Sequence, residues 1–111
     1  MWIRVDLDET PFVIDIQDLD DFGSFKVVAS GPEDSFPEAA SRLGRLEGDH
    51  VFVDVEVLLQ IAGDRRSDPL WKEQFDGMAN YAQSHGWTDD LGRIRAHVEW
   101  SGPAGTGPLR P

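Results

Sequence analysis

Arg95, His97 and Glu99 stand at alternate positions near the end of a 111-residue chain. Residues two apart on a β-strand share a face, so a strand here would set guanidinium, imidazole and carboxylate side by side. A carboxylate beside a histidine orients the ring and moves its pKa toward neutrality, the arrangement that general acid–base catalysis uses. The same row also describes the solvated outer face of an antiparallel sheet, where mixed charges are ordinary. A zinc site could draw on His97, Glu99 and one of His50 or His85, since zinc accepts such ligands and a catalytic site needs three of them plus water. The local spacing of two histidines at i and i+4 on a helix is absent, and the three histidines fall on different elements. The sequence therefore supplies no metal motif and no cofactor motif, and neither a metal nor a cofactor is expected.

Other chemical patterns fail on inspection. Asp18-Leu19-Asp20-Asp21-Phe22-Gly23 has the opening of a calcium loop, but Phe22 falls at the fifth position and Ala29 at the twelfth, where a bidentate Glu is needed. Gly102, Gly105 and Gly107 have no helix after them, so they cannot form a phosphate-cradling loop. There is no Cys, hence no disulfide framework, thiolate site or cysteine nucleophile.

The charge distribution says more about company than about reactions. The first 22 residues carry seven carboxylates (Asp6, Asp8, Glu9, Asp15, Asp18, Asp20, Asp21) against Arg4 alone, within a formal net charge of −11. Such a field repels phosphate backbones and attracts basic surfaces, which argues against nucleic acid and for a protein partner of basic or mixed charge. Asp6, Asp18, Asp20 and Asp21, with Trp2, are the candidate binding residues. No basic segment followed by an apolar run opens the chain, and no apolar stretch approaches a membrane span. A reducing, cytoplasmic location without membrane contact is the expectation, and the eight Arg against two Lys resemble coding by a high-GC bacterial genome.

The elements that would position these residues follow from periodicity. Residues 2–7 alternate, with Ile3, Val5 and Leu7 on one face; residues 12–17 alternate, with Phe12, Ile14 and Ile16 on one face. Joining them through Asp8–Pro11 sets Leu7 against Phe12, Ile3 against Ile16, Val5 against Ile14 and Arg4 against Asp15. Residues 24–29 read as a third strand. Ser35 to Glu38 reads as a capping box, opening a helix with Phe36, Ala39, Ala40, Leu43 and Leu46 on one face and Gly48 as its stop. Residues 50–54 form a strand, and 55–62 a short helix capped by Asp54 in preference to a longer strand. Asp68-Pro69 opens a helix with Trp71, Phe75, Met78, Ala79 and Ala82 on one face, closed by Gly86. Residues 93–100 form the last strand.

The order βββαβααβ predicts one α+β domain over 1–100, a two-layer sandwich of about five strands in a mixed or antiparallel sheet with two to three helices. Trp2 falls on the face opposite Ile3 and Val5. Either a partner or second copy covers it, as in a homodimer, or it packs over Gln17 at the surface. Two functions remain: an acidic accessory protein that binds a protein partner through its N-terminal region, or a small cofactor-independent enzyme (isomerase, cyclase or hydratase) using His97 and Glu99. Residues 101–111, with three Gly and three Pro, are expected to be a disordered tail. Deleting them is expected to leave the melting temperature almost unchanged, as read by circular dichroism on heating. A large drop would mean that the tail packs.

Overall fold

The alternation at the N-terminus becomes strand β1 (Trp2–Asp6), paired antiparallel with β2 (Val13–Gln17). Its register sets Ile3 opposite Ile16, Val5 opposite Ile14 and Arg4 opposite Asp15, as the apolar pattern predicts. The Arg4 guanidinium straddles the Asp15 carboxylate, Nη2 to Oδ2 at 2.7 Å and Nε to Oδ1 at 3.2 Å. These strands belong to a computed structural model that describes residues 1–9 and 11–101. The expected tail thus lies outside the described residues except for Ser101, whose N–H donates to the Ala29 carbonyl at 2.8 Å and so extends the sheet.

The remaining elements are β3 (Lys26–Ser30), α1 (Phe36–Leu43), β4 (Gly44–Glu47), β5 (His50–Val53), α2 (Val55–Ala62), α3 (Pro69–Ser84) and β6 (Ile94–Trp100). The chain is α+β, with a mixed six-stranded sheet in the order β2-β1-β3-β6-β5-β4. β1–β3 and β3–β6 are parallel pairs; the other three are antiparallel. Ile3, Val5, Val27, Ala29, Val51, Val53, Ile94, Ala96 and Val98 are buried. Their neighbours at the intervening positions are half-buried or exposed. The three helices therefore cover one face, with α2 against β2, α1 against β4 and β5, and α3 against β6.

Caps behave largely as the residue types dictate. Asp54 accepts from the Glu56 N–H at 2.8 Å and Asp68 from the Leu70 N–H at 3.0 Å, each satisfying a donor that the first helical turn leaves free. Trp71 and Phe75 stack at 5.2 Å beneath the sheet. The Trp71 indole donates to the Leu19 carbonyl at 2.8 Å and ties down the 18–25 loop.

Two expectations need correction. Ser35 does not cap α1; it already has helical angles (φ −87°, ψ −10°) at the end of a 3₁₀ turn over Glu33–Ser35, and makes no side-chain cap bond. A capping side chain needs the extended backbone that Ser35 has given up. The helix also ends at Leu43 rather than running to Gly48, and residues 44–47 form a sixth strand, so the order is βββαββααβ. Leu46 pairs with Val51 in a hairpin whose turn holds Gly48 at φ 60°. Gly44 makes the abrupt change possible: a Cβ there would overlap the Phe52 carbonyl oxygen. No helix among the described residues is long and apolar enough to cross a membrane.

Gly44→Ala is expected to cost at least about 2 kcal/mol, since backbone of the β4–β5 hairpin must shift to admit the methyl group. Gly77→Ala, in α3 with nothing within 4 Å of the added atom, is expected to stabilise by about 0.5–1 kcal/mol. Denaturant melts of the two variants check the contrast.

Candidate functional site

Because apolar side chains take one parity of every strand, the polar ones share the uncovered face. Arg95, His97 and Glu99 point to that face of β6, with His97 opposite Lys26 on one side and His50 on the other. His97 and Glu99 do not pair. Glu99 accepts from the Lys26 ammonium at 3.1 and 3.2 Å. Arg95 lies opposite Phe52 and makes no ion pair among the described residues.

The carboxylate nearest His97 is one that sequence reasoning did not select. Asp49 occupies the two-residue turn between β4 and β5, and its carbonyl accepts from the Val98 N–H at 2.8 Å. Its carboxylate lies 2.9 Å from His50 Nδ1 and 3.9 Å from His97 Nδ1. The two imidazoles meet edge to face, with centroids 5.4 Å apart. His85 takes no part: its ring lies against Tyr81 and Trp87 at 4.1 and 4.8 Å, at the end of α3. The one available signal for Asp49 was Gly48-Asp49, a two-residue hairpin turn with glycine first, which the helical reading of 36–46 concealed.

The acidic candidates separate into two places. Asp6 closes β1 at the end away from Trp2 and accepts from the Asp8 N–H at 3.0 Å. Asp18, Asp20 and Asp21 are exposed in the loop after β2, at the Trp2 end. The Trp2 indole donates to Asp18 Oδ2 at 3.2 Å. Asp20 pairs with Arg65, and Asp21 accepts from the Gly23 N–H. Leu19 and Phe22 of the same loop pack against the core, so it is anchored by its apolar residues and presents its carboxylates to solvent.

Clefts among the described residues indent the surface at three places of note. One of about 380 Å³ runs between Phe22, Phe25, Met78, Tyr81, Trp87 and Arg95. A shallower one of about 650 Å³ lies between Arg45, Phe52, Asp89 and Arg93. A third, of about 300 Å³, is bounded by Phe36, Leu46, Asp49 and Trp100. His97 lines none of them.

Two carboxylates have displaced pKa values. Asp15 is held low chiefly by the hydrogen bond from Arg4, against its partial burial, with Gln17 helping. For Asp89, burial opposes the charge, but the Arg93 backbone N–H, its guanidinium and the Leu91 N–H outweigh it and lower the pKa. The Asp89 side chain is only 8% exposed, and Arg93 Nε reaches it at 2.6 Å.

Comparison with protein-family models, curated proteins and solved structures finds no match for this chain. Function must therefore be argued from the geometry alone.

A carboxylate with a depressed pKa stabilises the fold above its unfolded value, and that stability is lost as pH falls through the folded value. Asp89→Asn is expected to lower stability by about 1 kcal/mol or more at neutral pH. The gap to wild type should stay constant down to about pH 4 and shrink below it. Urea melts of both proteins across that range check it.

Proposed function

We propose that this is a small acidic interaction protein that binds a basic or mixed-charge protein surface through the corner formed by Trp2, Asp18, Asp20 and Asp21. The observation that carries the reading is the hydrogen bond from the Trp2 indole to Asp18 on the uncovered sheet face, beside two further exposed carboxylates. An aromatic face next to carboxylates suits Arg and Lys side chains, which take ion pairs from the one and cation–π contact from the other. The net charge of −11 adds long-range attraction for a basic surface. Asp6, at the other end of β1, contributes to that field and not to the contact. A cytoplasmic setting and a two-fold homodimer through the uncovered face belong to the same proposal, the latter read by sedimentation.

The enzyme reading keeps one supporting observation, the imidazole of His97 within 3.9 Å of the Asp49 carboxylate. It takes second place because the His97 side chain is exposed and borders none of the clefts described above.

The test is retention from lysate at low salt by the immobilised protein, followed by association kinetics with the retained partner. Asp18→Asn, Asp20→Asn and Asp21→Asn together are expected to slow association several-fold at about 0.1 M salt and to flatten its salt dependence. Trp2→Ala should raise the dissociation rate. Equal association rates for wild type and triple variant would remove this corner as the docking surface.

A further inference from the structure

We propose that Asp49, His50 and His97 form an open binding site for a divalent transition-metal ion of the zinc, copper or nickel class. His50 and His97 are direct partners across the antiparallel pair β5–β6, so both rings leave the same face of the sheet side by side. Asp49 adds a carboxylate from the adjoining turn, and one ligand atom from each of the three residues lies within 4.8 Å of the others. Zinc held by nitrogen and oxygen at about 2.0–2.2 Å needs its ligand atoms roughly 3.4 Å apart in a tetrahedron. The Asp49–His50 contact at 2.9 Å and the Asp49–His97 contact at 3.9 Å bracket that separation. The His97 side chain is 54% exposed and that of Asp49 70%, so small side-chain rotations are free to close the set.

The surrounding charges favour a cation here. Glu99 is engaged by Lys26 and Glu47 by Arg45. Asp49, in contrast, faces two imidazoles and no Lys or Arg among the described residues. Arg95, two positions along β6, is the remaining cation on that stretch of the face. Imidazole nitrogen selects zinc, copper or nickel over magnesium or calcium, which prefer oxygen shells. Three protein ligands leave a further position for water or for a donor from a bound molecule.

The experiment is calorimetric titration of the full chain with zinc chloride at pH 7.5, joined to histidine-selective NMR. One ion per chain should bind, with the His50 and His97 ring signals shifting and those of His85 unmoved. His50→Gln and His97→Gln should each weaken binding at least about tenfold, or about 1.4 kcal/mol, and His85→Gln should leave it unchanged. Magnesium in excess should not compete. The absence of saturable binding would overturn the proposal. So would full affinity in the His50→Gln/His97→Gln double variant, since the ion would then reside on the acidic surface elsewhere. The NMR shifts in the unmodified chain decide the matter even if a variant misfolds.

Discussion

A sheet covered by helices on one side sorts each strand by parity, and this chain obeys that constraint on all the strands of the sheet's interior. Ile3 and Val5, Val27 and Ala29, Val51 and Val53, and Ile94, Ala96 and Val98 fill the helix side. Every ionisable residue on these strands is thereby sent to the other side: Arg4, Asp6, Lys26, His50, Arg95, His97 and Glu99. A one-residue slip of β6 against β5 would bury His97 and turn Ala96 outward. Burial of the apolar row thus fixes the geometry of the polar one, although the two never touch.

The uncovered face is organised by ion pairs. Arg4 takes Asp15, Lys26 takes Glu99 and Arg45 takes Glu47. Exposed pairs of this kind contribute little stability each. Their effect is on what remains: with those carboxylates engaged, Asp49 is left to the two histidines, and Asp18, Asp20 and Asp21 stand exposed at one corner, Asp20 beside Arg65 and Asp21 beside the N-terminal ammonium. The acidity that dominates the composition is therefore not evenly available. Its accessible portion is placed by Leu19 and Phe22 packing inward and by the Trp71 indole holding the Leu19 carbonyl.

The parts of this architecture that were legible in the sequence are those set by neighbours. The register of the first hairpin was readable, since two alternating runs and a short turn permit one register that matches both apolar and charged partners, although the ladder stops at Asp6–Val13, one pair short of Leu7 and Phe12. Asp54 and Asp68 announced their helices because a cap acts within three residues. Periodicity misled between Phe36 and Leu46, where helical spacing continues across a helix end that only the close approach at Gly44 creates. Nor could it give the strand order. His50 and His97 are 47 positions apart in sequence, and nothing local says that β5 and β6 are adjacent. With that adjacency hidden, Glu99 looked like the partner of His97 and Asp49 did not.

β6 is the last strand in sequence among the described residues, yet it lies between β3 and β5 and joins the two halves of the sheet. During synthesis the first three strands must therefore wait, with Val27 and Ala29 beside an empty slot, until residues 94–100 have left the ribosome. Non-local pairing of this kind is slow, and it exposes apolar edges while it is incomplete. The hairpins β1–β2 and β4–β5 can form early and alone, but they cannot join until the final strand enters between them. For this chain, closure of the sheet has to await the synthesis of residues 94–100.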